Sequence, residues 1–423
     1  MTTDNTTVEQ FLSGIPVPVE PAAIERELAA LWKPASEQAG ADGGAAVTRV
    51  CLANLLVVGD TANNAWHADT LQRVSARFPC RILWAQLGPA GADAALTAAV
   101  TALCHLPSPG NPQVCSELIT LRTGRGGAGN VPGAVLPLLE PDLPVVLWWA
   151  LPTDAEQLKV GRDSVEPASE KRRLDGVSPH LDTTPSSTAS ALFDTLSELA
   201  DRVIVHAEPL ANPALRTLRA VPSLRLCLRE CAADKATVMV WHTMGHWREM
   251  TAQFFDPPQL RDGLDGIETV TVRYATPDGR PTAALPAALY AGWIAGQLQW
   301  TPIAREVTPE GVRATFAAGP RRVTVELLAQ AAGSLAPGRL TSVDIAAEFG
   351  PARATFHLAR VCGERTEIRQ TFCLSEACTL LKSLPIVERD EATLLGAAIE
   401  SQSAASVFPR AAKTALWLLG ETS

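Results

Sequence analysis

Four segments in the first 150 residues are rich in apolar or β-branched residues, and Pro141–Ala150 has no polar residue after Pro144. A strand that is apolar on both faces must be covered by helices above and below it, which is typical of a mostly parallel sheet. Segments with helical periodicity lie between some of these runs, as this arrangement requires. The sequence therefore predicts an N-terminal α/β domain with a mostly parallel, helix-covered sheet. The predicted strands are Arg49–Asp60, Cys80–Gly88, Val114–Gly124 and Pro141–Ala150.

Three further segments bear on the extent of this domain. Residues 95–107 fit a helix or a strand equally, so their pattern leaves the type open. Residues 153–190 are polar and rich in Ser, Pro, Asp and Arg, which predicts a long surface insertion. The segment Lys235–Phe255 has apolar residues at helical spacing and predicts one long helix. A Pro- and Gly-rich segment follows at Asp256–Gly266, and we place the N-terminal domain at residues 1–258.

Beyond this break, several stretches alternate apolar and polar residues with period two. In RRVTVELLAQ, for example, Val323, Val325 and Leu327 alternate with polar side chains. Such alternation with short connections predicts an antiparallel sheet that packs one face on helices. The second domain, residues 264–423, is therefore predicted to have an α+β fold. Its C-terminal helices are predicted at Ser375–Ser383, Arg389–Ser401 and Ala411–Leu419.

The charge and the cysteines exclude several classes of protein. The formal net charge is −9, whereas proteins that hold nucleic acid by counterion release need a basic face. The nine cysteines are scattered, which favours reduced thiols over a disulfide scaffold. The first residues lack the basic and apolar regions of a secretory signal, and no apolar stretch reaches the roughly 18 residues of a membrane span. We therefore expect a cytoplasmic protein without a nucleic-acid or membrane partner.

The loop GRGGAG satisfies the G-x-G-x-x-G pattern and lies between a predicted strand and a predicted helix. Backbone N–H groups at a helix N-terminus attract phosphate, so the loop is a candidate anion site. A dinucleotide site is less well supported, because the acidic residue expected about 20 positions further on is missing. A plain glycine-rich turn is the interpretation that the residues favour. The glycines concerned are Gly124, Gly126, Gly127 and Gly129.

His242, His246 and Glu249 recur at i, i+4 and i+7 of the predicted helix, a spacing that can chelate a metal. Thr243 follows His242, so the H-E-x-x-H motif with its general base is absent. A solvated polar helix face is the favoured interpretation, and we predict no metal and no cofactor. The motifs G-x-S-x-G and G-K-[ST] are absent as well, which favours binding or regulation over catalysis.

Several of these segments form a pattern that resembles the OpcA family of glucose-6-phosphate dehydrogenase assembly proteins. The family's Leu-Pro-Leu-Leu-x-Pro-Asp-Leu-Pro-Val run corresponds to Leu136–Val145, and its Trp-Trp pair to Trp148 and Trp149. Ala200–Val205 is similar to the family's Ala-Asp-Arg-x-Ile-Val segment. The segment FPCRILW resembles its His-Pro-Cys-Arg segment, with Phe78 at the His position.

Two later segments extend the resemblance. WHTMGHWREMTAQFFD is similar to the family's Trp-x-Arg-x-x-x-Trp-Arg-Glu helix through Trp241, Trp247 and Arg248, although the first Arg is Thr243 here. AGWIAGQLQW is similar to its Gly-Trp-Leu-Ala-x-x-Leu-x-Trp helix. On the predicted helix Trp247 belongs to the apolar stripe, whereas Arg248 projects away from it. We therefore take Trp241, Trp247 and Arg248 as candidate partner-binding residues.

The resemblance implies a non-catalytic assembly factor or allosteric activator of glucose-6-phosphate dehydrogenase. Such a protein would support the oxidative pentose phosphate pathway and the supply of NADPH. In photosynthetic members, redox control is linked to cysteines, and Cys373 and Cys378 are the nearest analogue here. The alternative is an oxidoreductase that binds NADP or a sugar phosphate with the Gly124–Gly129 loop. The sequence leaves open which surface would contact the dehydrogenase.

Overall fold

The computed structural model describes most of the chain in nine stretches. The predicted insertion at 153–190 lies largely outside them, and its last residues belong to a helix that begins at Pro185. The described residues up to His206 form one compact unit, and those from 223 onward form a second. The stretches are 5–41, 47–89, 91–106, 113–151, 185–206, 224–228, 235–282, 284–401 and 407–420.

The first unit contains a mostly parallel sheet, as predicted. Its helices are α1 (Asn5–Leu12), α2 (Ile24–Ala41), α3 (Asn64–Arg77), α4 (Val131–Val135) and α5 (Pro185–Leu199). Its strands are β1 (Val17–Val19), β2 (Val47–Arg49), β3 (Asn54–Asp60), β4 (Arg81–Leu87), β5 (Thr97–His105), β6 (Gln113–Thr123), β7 (Val145–Trp149) and β8 (Arg202–Val205).

The strands of this sheet lie in the order β1-β5-β6-β4-β3-β7-β8, with β2 paired to β6. Strands β2, β6, β4, β3, β7 and β8 are parallel to their neighbours in this set. Within the ambiguous residues 95–107, Thr97–His105 form strand β5, which is antiparallel to both β6 and β1. Val100 of β5 lies opposite Ile119 of β6, and both are fully buried. Pairing with β6 and burial against it therefore make this segment a strand, where the residue pattern fitted a helix or a strand.

Strand β7 shows that both faces of this sheet are covered. Trp148 faces α3, where its ring centroid lies 5.6 Å from that of His67. Trp149 points to the opposite face and packs edge-on against Phe193 of α5 at 5.0 Å. Both tryptophans are buried in the core, as a strand with helices above and below requires.

A buried ion network lies in the first unit and joins several of its strands and helices. The Arg81 side chain is 4% exposed, and its guanidinium contacts Glu117 at 2.8 Å and Glu25 at 2.7 Å. Glu117 also pairs with Arg49 at 2.9 Å and accepts a hydrogen bond from the Trp32 indole at 2.6 Å. Charges buried this deeply are tolerated only when paired and hydrogen-bonded. The network therefore ties β4 and β6 to helix α2 and strand β2.

The second unit contains an antiparallel sheet packed on helices, as predicted. Its helices are α6 (Gly245–Gln253), α7 (Pro258–Arg261), α8 (Leu285–Gln297), α9 (Glu391–Glu400) and α10 (Val407–Leu418), and residues 224–228 form a helical turn. Its strands are β9 (Ala236–Val238), β10 (Ile267–Thr276), β11 (Thr301–Thr308), β12 (Gly311–Ala318), β13 (Arg321–Ala331), β14 (Leu340–Phe349), β15 (Ala352–Cys362), β16 (Thr366–Leu374) and β17 (Ala377–Pro385).

Eight of these strands form one sheet in the order β11-β12-β13-β10-β14-β15-β16-β17. All neighbours are antiparallel except β10 and β13, which are parallel. Edge strand β11 was not predicted. The predicted helix at 375–383 is wrong, because this segment is edge strand β17. Ser375 has φ +52° in the two-residue turn between β16 and β17, so the chain reverses there instead of entering a helix.

The predicted helix over Lys235–Phe255 is also wrong in part, because it consists of β9, a 3₁₀ segment and helix α6. This region lies in the second unit, so the units divide upstream of the predicted boundary at residues 258–264. The Trp241 ring packs against Phe408 of α10 at 5.4 Å. Gln370 of β16 donates a hydrogen bond to the Met250 carbonyl at 2.8 Å. These contacts fix the segment to the second unit.

Candidate functional site

The sheet of the second unit has one buried face and one accessible face. On strand β13, Val323, Val325 and Leu327 are buried, whereas Thr324 and Glu326 between them are half-buried. The same alternation occurs on β10, β14 and β15, because successive side chains of a strand point to opposite faces. We call the accessible side the open face. Its half-buried threonines and alanines are Thr269, Thr271, Thr315, Thr324, Ala346, Thr355, Ala359 and Thr371.

Charged side chains lie in one row across the middle of the open face. Arg313, Glu326, Thr271, Asp344, His357 and Thr371 occupy matching register positions on six neighbouring strands. Arg313 Nε contacts Glu326 at 2.9 Å. Arg273 forms an ion pair with Asp344, and the His357 imidazole forms a hydrogen bond with the same carboxyl group. The row therefore carries paired charges of both signs among small side chains.

The Asp344 carboxyl lies at the centre of this row. Its partial burial opposes ionisation, but hydrogen bonds from His357 and Arg273 outweigh it and lower the pKa of Asp344 below its usual range. The side chain keeps 27% exposure. Asp344 is therefore a charged group that solvent or a second protein can reach.

The three candidate partner-binding residues lie together in the second unit. The rings of Trp241 and Trp247 are buried, at 6% and 2% exposure. The Arg248 guanidinium lies over the Trp241 ring, 3.7 Å from its centroid, and donates a hydrogen bond to the Trp241 carbonyl at 2.8 Å. Burial lowers the pKa of Arg248 to about 10. Arg248 thus folds back onto its own chain, and a role for these residues in partner binding stays a prediction.

The glycine-rich loop follows β6 and forms a 3₁₀ segment, Arg125–Asn130. A Cβ at Gly124 would lie 2.4 Å from the Ala92 carbonyl oxygen, and one at Gly127 only 2.2 Å from that of Ala94. Close packing against these residues therefore requires glycine at both positions. Gly126 and Gly129 have no such close neighbour, and a Cβ would fit at either position.

The single cation of this loop is already paired. Arg125 forms a salt bridge with Asp60 at 3.0 Å. The following helix α4 has five residues, so it contributes few oriented N–H groups. The packing of the glycines and the pairing of Arg125 agree with the glycine-rich turn that the sequence favoured.

Four cysteines form disulfides, so the expectation of reduced thiols is wrong for these four. Cys104 and Cys115 lie opposite each other on β5 and β6, and Cys373 and Cys378 lie opposite each other on β16 and β17. Their Cα atoms are 4.1 and 4.0 Å apart, somewhat closer than the roughly 4.5 Å of facing non-hydrogen-bonded pairs on antiparallel strands. Sequence spacing alone could not show that the first pair faces across two strands.

The histidine pattern is divided between two elements. His242 lies in the 3₁₀ segment near Thr237, whereas His246 lies in α6 and contacts Arg389 at 3.2 Å. Burial lowers the pKa of His246, and the charge of Arg389 lowers it further. Within the part of the chain that the structure describes, no group of three or more His, Cys, Asp or Glu residues could hold a metal ion.

Two family models match this chain. One describes the N-terminal domain of a glucose-6-phosphate dehydrogenase subunit and matches residues 71–162. The other describes the C-terminal domain of a glucose-6-phosphate dehydrogenase subunit, matches residues 235–412 and includes the whole open face. Together they cover well over half of the chain. No helix among the described stretches is long and apolar enough to cross a membrane.

Curated relatives named OpcA, and provisionally assigned to the OxPP cycle, come from cyanobacteria. The protein of Synechocystis sp. is 28% identical over 244 residues, which is 57% of this chain and 41% of the relative. That of Synechococcus elongatus is 27% identical over 235 residues, which is 54% of this chain and 42% of the relative. The match thus spans about two fifths of the length of these relatives.

Solved structures align with this chain over most of its length, but at low similarity. The 3-ketoreductase KijD10 from Actinomadura kijaniata, solved with NADP, covers 87% of this chain and 96% of its own at 11% identity and a TM-score of 0.42. A protein from Erwinia carotovora, provisionally described as an oxidoreductase, covers 88% and 99% at 8% identity and a TM-score of 0.42. At these scores neither structure supports an argument about activity.

Proposed function

Because the chain belongs to the OpcA family of glucose-6-phosphate dehydrogenase assembly proteins, we propose that it is a non-catalytic partner of such a dehydrogenase. It would bind one conformation or oligomer of the enzyme better than another and thereby shift the population of active enzyme. Couplings of this kind are typically about 1–3 kcal/mol, or roughly 5- to 150-fold in affinity. The proposed role supports the oxidative pentose phosphate pathway and NADPH supply in the cytoplasm.

The open face is the observation that carries this proposal. Its small threonine and alanine side chains form a surface that a second protein can approach closely. Strands are about 4.8 Å apart and rise about 3.3 Å per residue, so six strands of eight residues span roughly 750 Å². A stable interface buries about 800 Å² on each partner. The area and the mixed polar character of the open face therefore suit a protein partner.

The test is a titration of the cognate glucose-6-phosphate dehydrogenase with the full chain. Saturation curves for glucose 6-phosphate and the oligomer size of the enzyme are recorded at each ratio. We expect a changed half-saturation concentration or a changed oligomer. If both quantities stay constant across the titration, the proposed function is refuted.

A pair of substitutions tests whether the open face makes the contact. Ala346→Arg introduces a long charged side chain at the middle of the face, and we expect it to weaken association at least about tenfold. Ala331→Arg makes the same change at the exposed end of strand β13, away from the middle of the open face, and we expect this variant to bind like the wild type. If both variants weaken association equally, or if neither weakens it, the interface lies elsewhere in the chain.

The oxidoreductase alternative has less support from the chain itself. Two glycines of the Gly124–Gly129 loop are accounted for by their packing against residues 92–94, and the arginine of the loop is paired with Asp60. Equilibrium dialysis against NADP separates the two functions. Binding of NADP below about 1 mM would favour the enzyme, since pyridine-nucleotide enzymes must bind the cofactor near its working concentration.

A further inference from the structure

A cavity of about 620 Å³ lies on one face of the sheet in the first unit. Its floor consists of alternate residues of β4, β5 and β6, and its walls are helix α3 and the segment that contains β1. We call it the α3 cavity. Small-molecule sites are commonly clefts of about 300–1,000 Å³, so its size suits a small ligand. The floor residues are Trp84, Gln86, Ala99, Thr101, Leu103, Leu118, Thr120 and Arg122.

Two buried polar atoms of the floor lack a hydrogen-bond partner among the residues that the structure describes. They are the indole Nε1 of Trp84 and the hydroxyl of Thr101, whose side chains belong to residues only 4% and 2% exposed. The Oδ1 atom of Asn64, on the α3 wall, has no partner there either. Buried polar atoms in folded proteins are nearly always hydrogen-bonded. The residues that carry these three atoms line the cavity, and a ligand that reaches the atoms would supply their missing hydrogen bonds.

The indole nitrogen of tryptophan can only donate a hydrogen bond, so Trp84 requires an acceptor on the ligand. The Thr101 hydroxyl can donate or accept, and Asn64 Oδ1 accepts. Apolar surface from Leu103 and Leu118 lies beside these atoms. The inner part of the cavity therefore suits an apolar body that carries at least one acceptor group.

One exposed cation lies at the end of the same floor. Arg122 donates from Nε to Gln86 Oε1 at 3.3 Å, and the same oxygen accepts a hydrogen bond from Asn64 Nδ2 at 2.9 Å. Gln86 thus holds Arg122 against the cavity while the two terminal guanidinium nitrogens form no ion pair within the described stretches. A guanidinium presented in this way matches a carboxylate or a phosphate through two parallel hydrogen bonds.

The register of the strands fixes the spacing of these groups. Arg122 and Gln86 share one row of the floor, Trp84 and Thr120 share the next, and Thr101 lies in the third, opposite Leu118. Rows on one face are two residues apart, so the Trp84 row lies about 7 Å and the Thr101 row about 13 Å from Arg122. We propose that the α3 cavity binds an elongated small organic anion. Its carboxylate or phosphate would lie at Arg122, an acceptor at Trp84, and its apolar body along the floor.

This site is independent of the proposed association with the dehydrogenase, because it uses only residues of the first unit. It also lies at the carboxyl ends of parallel strands β4 and β6, where open α/β sheets bind their ligands. No contact of the buried ion network around Arg81 involves it, since that side chain points to the other sheet face.

The test uses three related probes on the full chain. They are 4-nitrophenyl phosphate, 4-nitrophenylacetate and the neutral 4-nitrobenzyl alcohol, which share a nitrophenyl group with acceptor oxygens. We expect at least one anion to bind with a Kd below about 1 mM in calorimetry, at least about tenfold tighter than the alcohol. The preferred anion then shows whether the site selects a phosphate or a carboxylate.

Two residue-level measurements decide whether this binding uses the α3 cavity. Arg122→Gln should weaken the preferred anion about tenfold, whereas Arg26→Gln, at an exposed arginine outside the cavity, should not. In ¹H–¹⁵N spectra of the tryptophan indoles, the signal that Trp84→Phe removes should shift on binding. The proposal is overturned if no probe binds, if the alcohol binds as tightly as the anions, if Arg122→Gln binds like the wild type, or if the Trp84 signal stays fixed.

Discussion

The sheets of the two units satisfy their polar groups in different ways. In the first unit β3 and β4 are buried on both faces, so every charge near them needs a partner inside the protein. In the second unit the strands are buried on one face only, and the charges of the open face are paired but still reach solvent. An Arg–Glu pair is therefore a structural element in the sheet of the first unit and an accessible surface feature in the sheet of the second.

Two glutamates allow this comparison to be tested directly. Glu117 on β6 and Glu326 on β13 each pair with an arginine at 2.9 Å, yet their side chains are 2% and 24% exposed. Replacing Glu117 with Leu leaves Arg81, Arg49 and the Trp32 indole without that partner. We expect the free energy of unfolding of the first unit to fall by about 3–5 kcal/mol, because the buried Arg81 guanidinium loses its one buried carboxylate partner and keeps only the more exposed Glu25 and Glu140.

Glu326→Leu is the matched control, and we expect it to cost less than about 1 kcal/mol, since exposed pairs contribute little. Denaturant titrations give the free energies, and hydrogen exchange assigns each transition to its unit. Similar losses in the two variants would mean that burial does not distinguish the two sheets.

The disulfides of the two units also differ in burial. Cys115 is fully buried and is joined to Cys104 across 11 residues, whereas Cys373 and Cys378 are 5 residues apart on an edge hairpin. A cross-link stabilises mainly by closing a loop in the unfolded chain, by up to about 2.8 and 2 kcal/mol for these loop lengths. We expect Cys104→Ala/Cys115→Ala to cost more stability than Cys373→Ala/Cys378→Ala.

Thermal unfolding of each double variant, with and without reductant, measures this difference. The reductant should lower the unfolding temperature of the wild type. In each double variant it should not change the transition of the unit whose disulfide has been removed. If the double variant at the edge hairpin loses more stability, the buried disulfide of the first unit stabilises the protein no more than the exposed disulfide of the second.

The fold classes could be predicted because they depend on residue periodicity. The run VVLWW is apolar on both faces, and RRVTVELLAQ alternates, so the two sheet types were recognised from local pattern alone. Residues 95–107 and 375–383 could not be assigned in this way. Each contains a strand, β5 or β17, that is fixed by its partner strand, β6 or β16, and such pairing is a tertiary effect.

The candidate sites were predictable to a smaller extent. The two disulfides and the row across the open face each depend on strand register, which a single sequence does not give. Arg248 was expected to project away from Trp247, but the 3₁₀ segment before α6 places the Trp241 ring under its guanidinium. The period-two run of threonines on the open face was the one sequence signal that could have identified that surface.

His67 shows how strongly the covered sheet disfavours charge. Burial, together with the nearby His206, lowers the pKa of His67 to about 3. A Cβ at Gly59 would lie 2.6 Å from the imidazole, so the ring is also tightly packed. In the unfolded chain His67 binds a proton below about pH 6.5, whereas in the folded chain the His67 imidazole stays neutral until about pH 3.

Stability should therefore fall as the pH falls between these values, by about 1.4 kcal/mol per pH unit from this group. At pH 5.5 His67 contributes a loss of about 1.4 kcal/mol relative to neutral pH. His67→Leu keeps an apolar group of similar size and should remove this part of the slope. Free energies of unfolding measured from pH 7 to 5 check the difference, and parallel curves for the two proteins would contradict it.

The smallest effect on stability is expected at the open face. Asp344 has a lowered folded-state pKa, so its ion pairs stabilise the protein above the unfolded pKa and are lost as the pH falls through the folded value. Because Arg273 and His357 are 38% and 35% exposed, Asp344→Asn should cost less than about 1 kcal/mol at neutral pH. Association with the dehydrogenase should weaken more than stability does, since a partner that covers the open face would exclude water from these charges. Chemical denaturation and the titration described above measure the two effects on one variant, and a loss of stability without a loss of association would identify Asp344 as a purely structural residue.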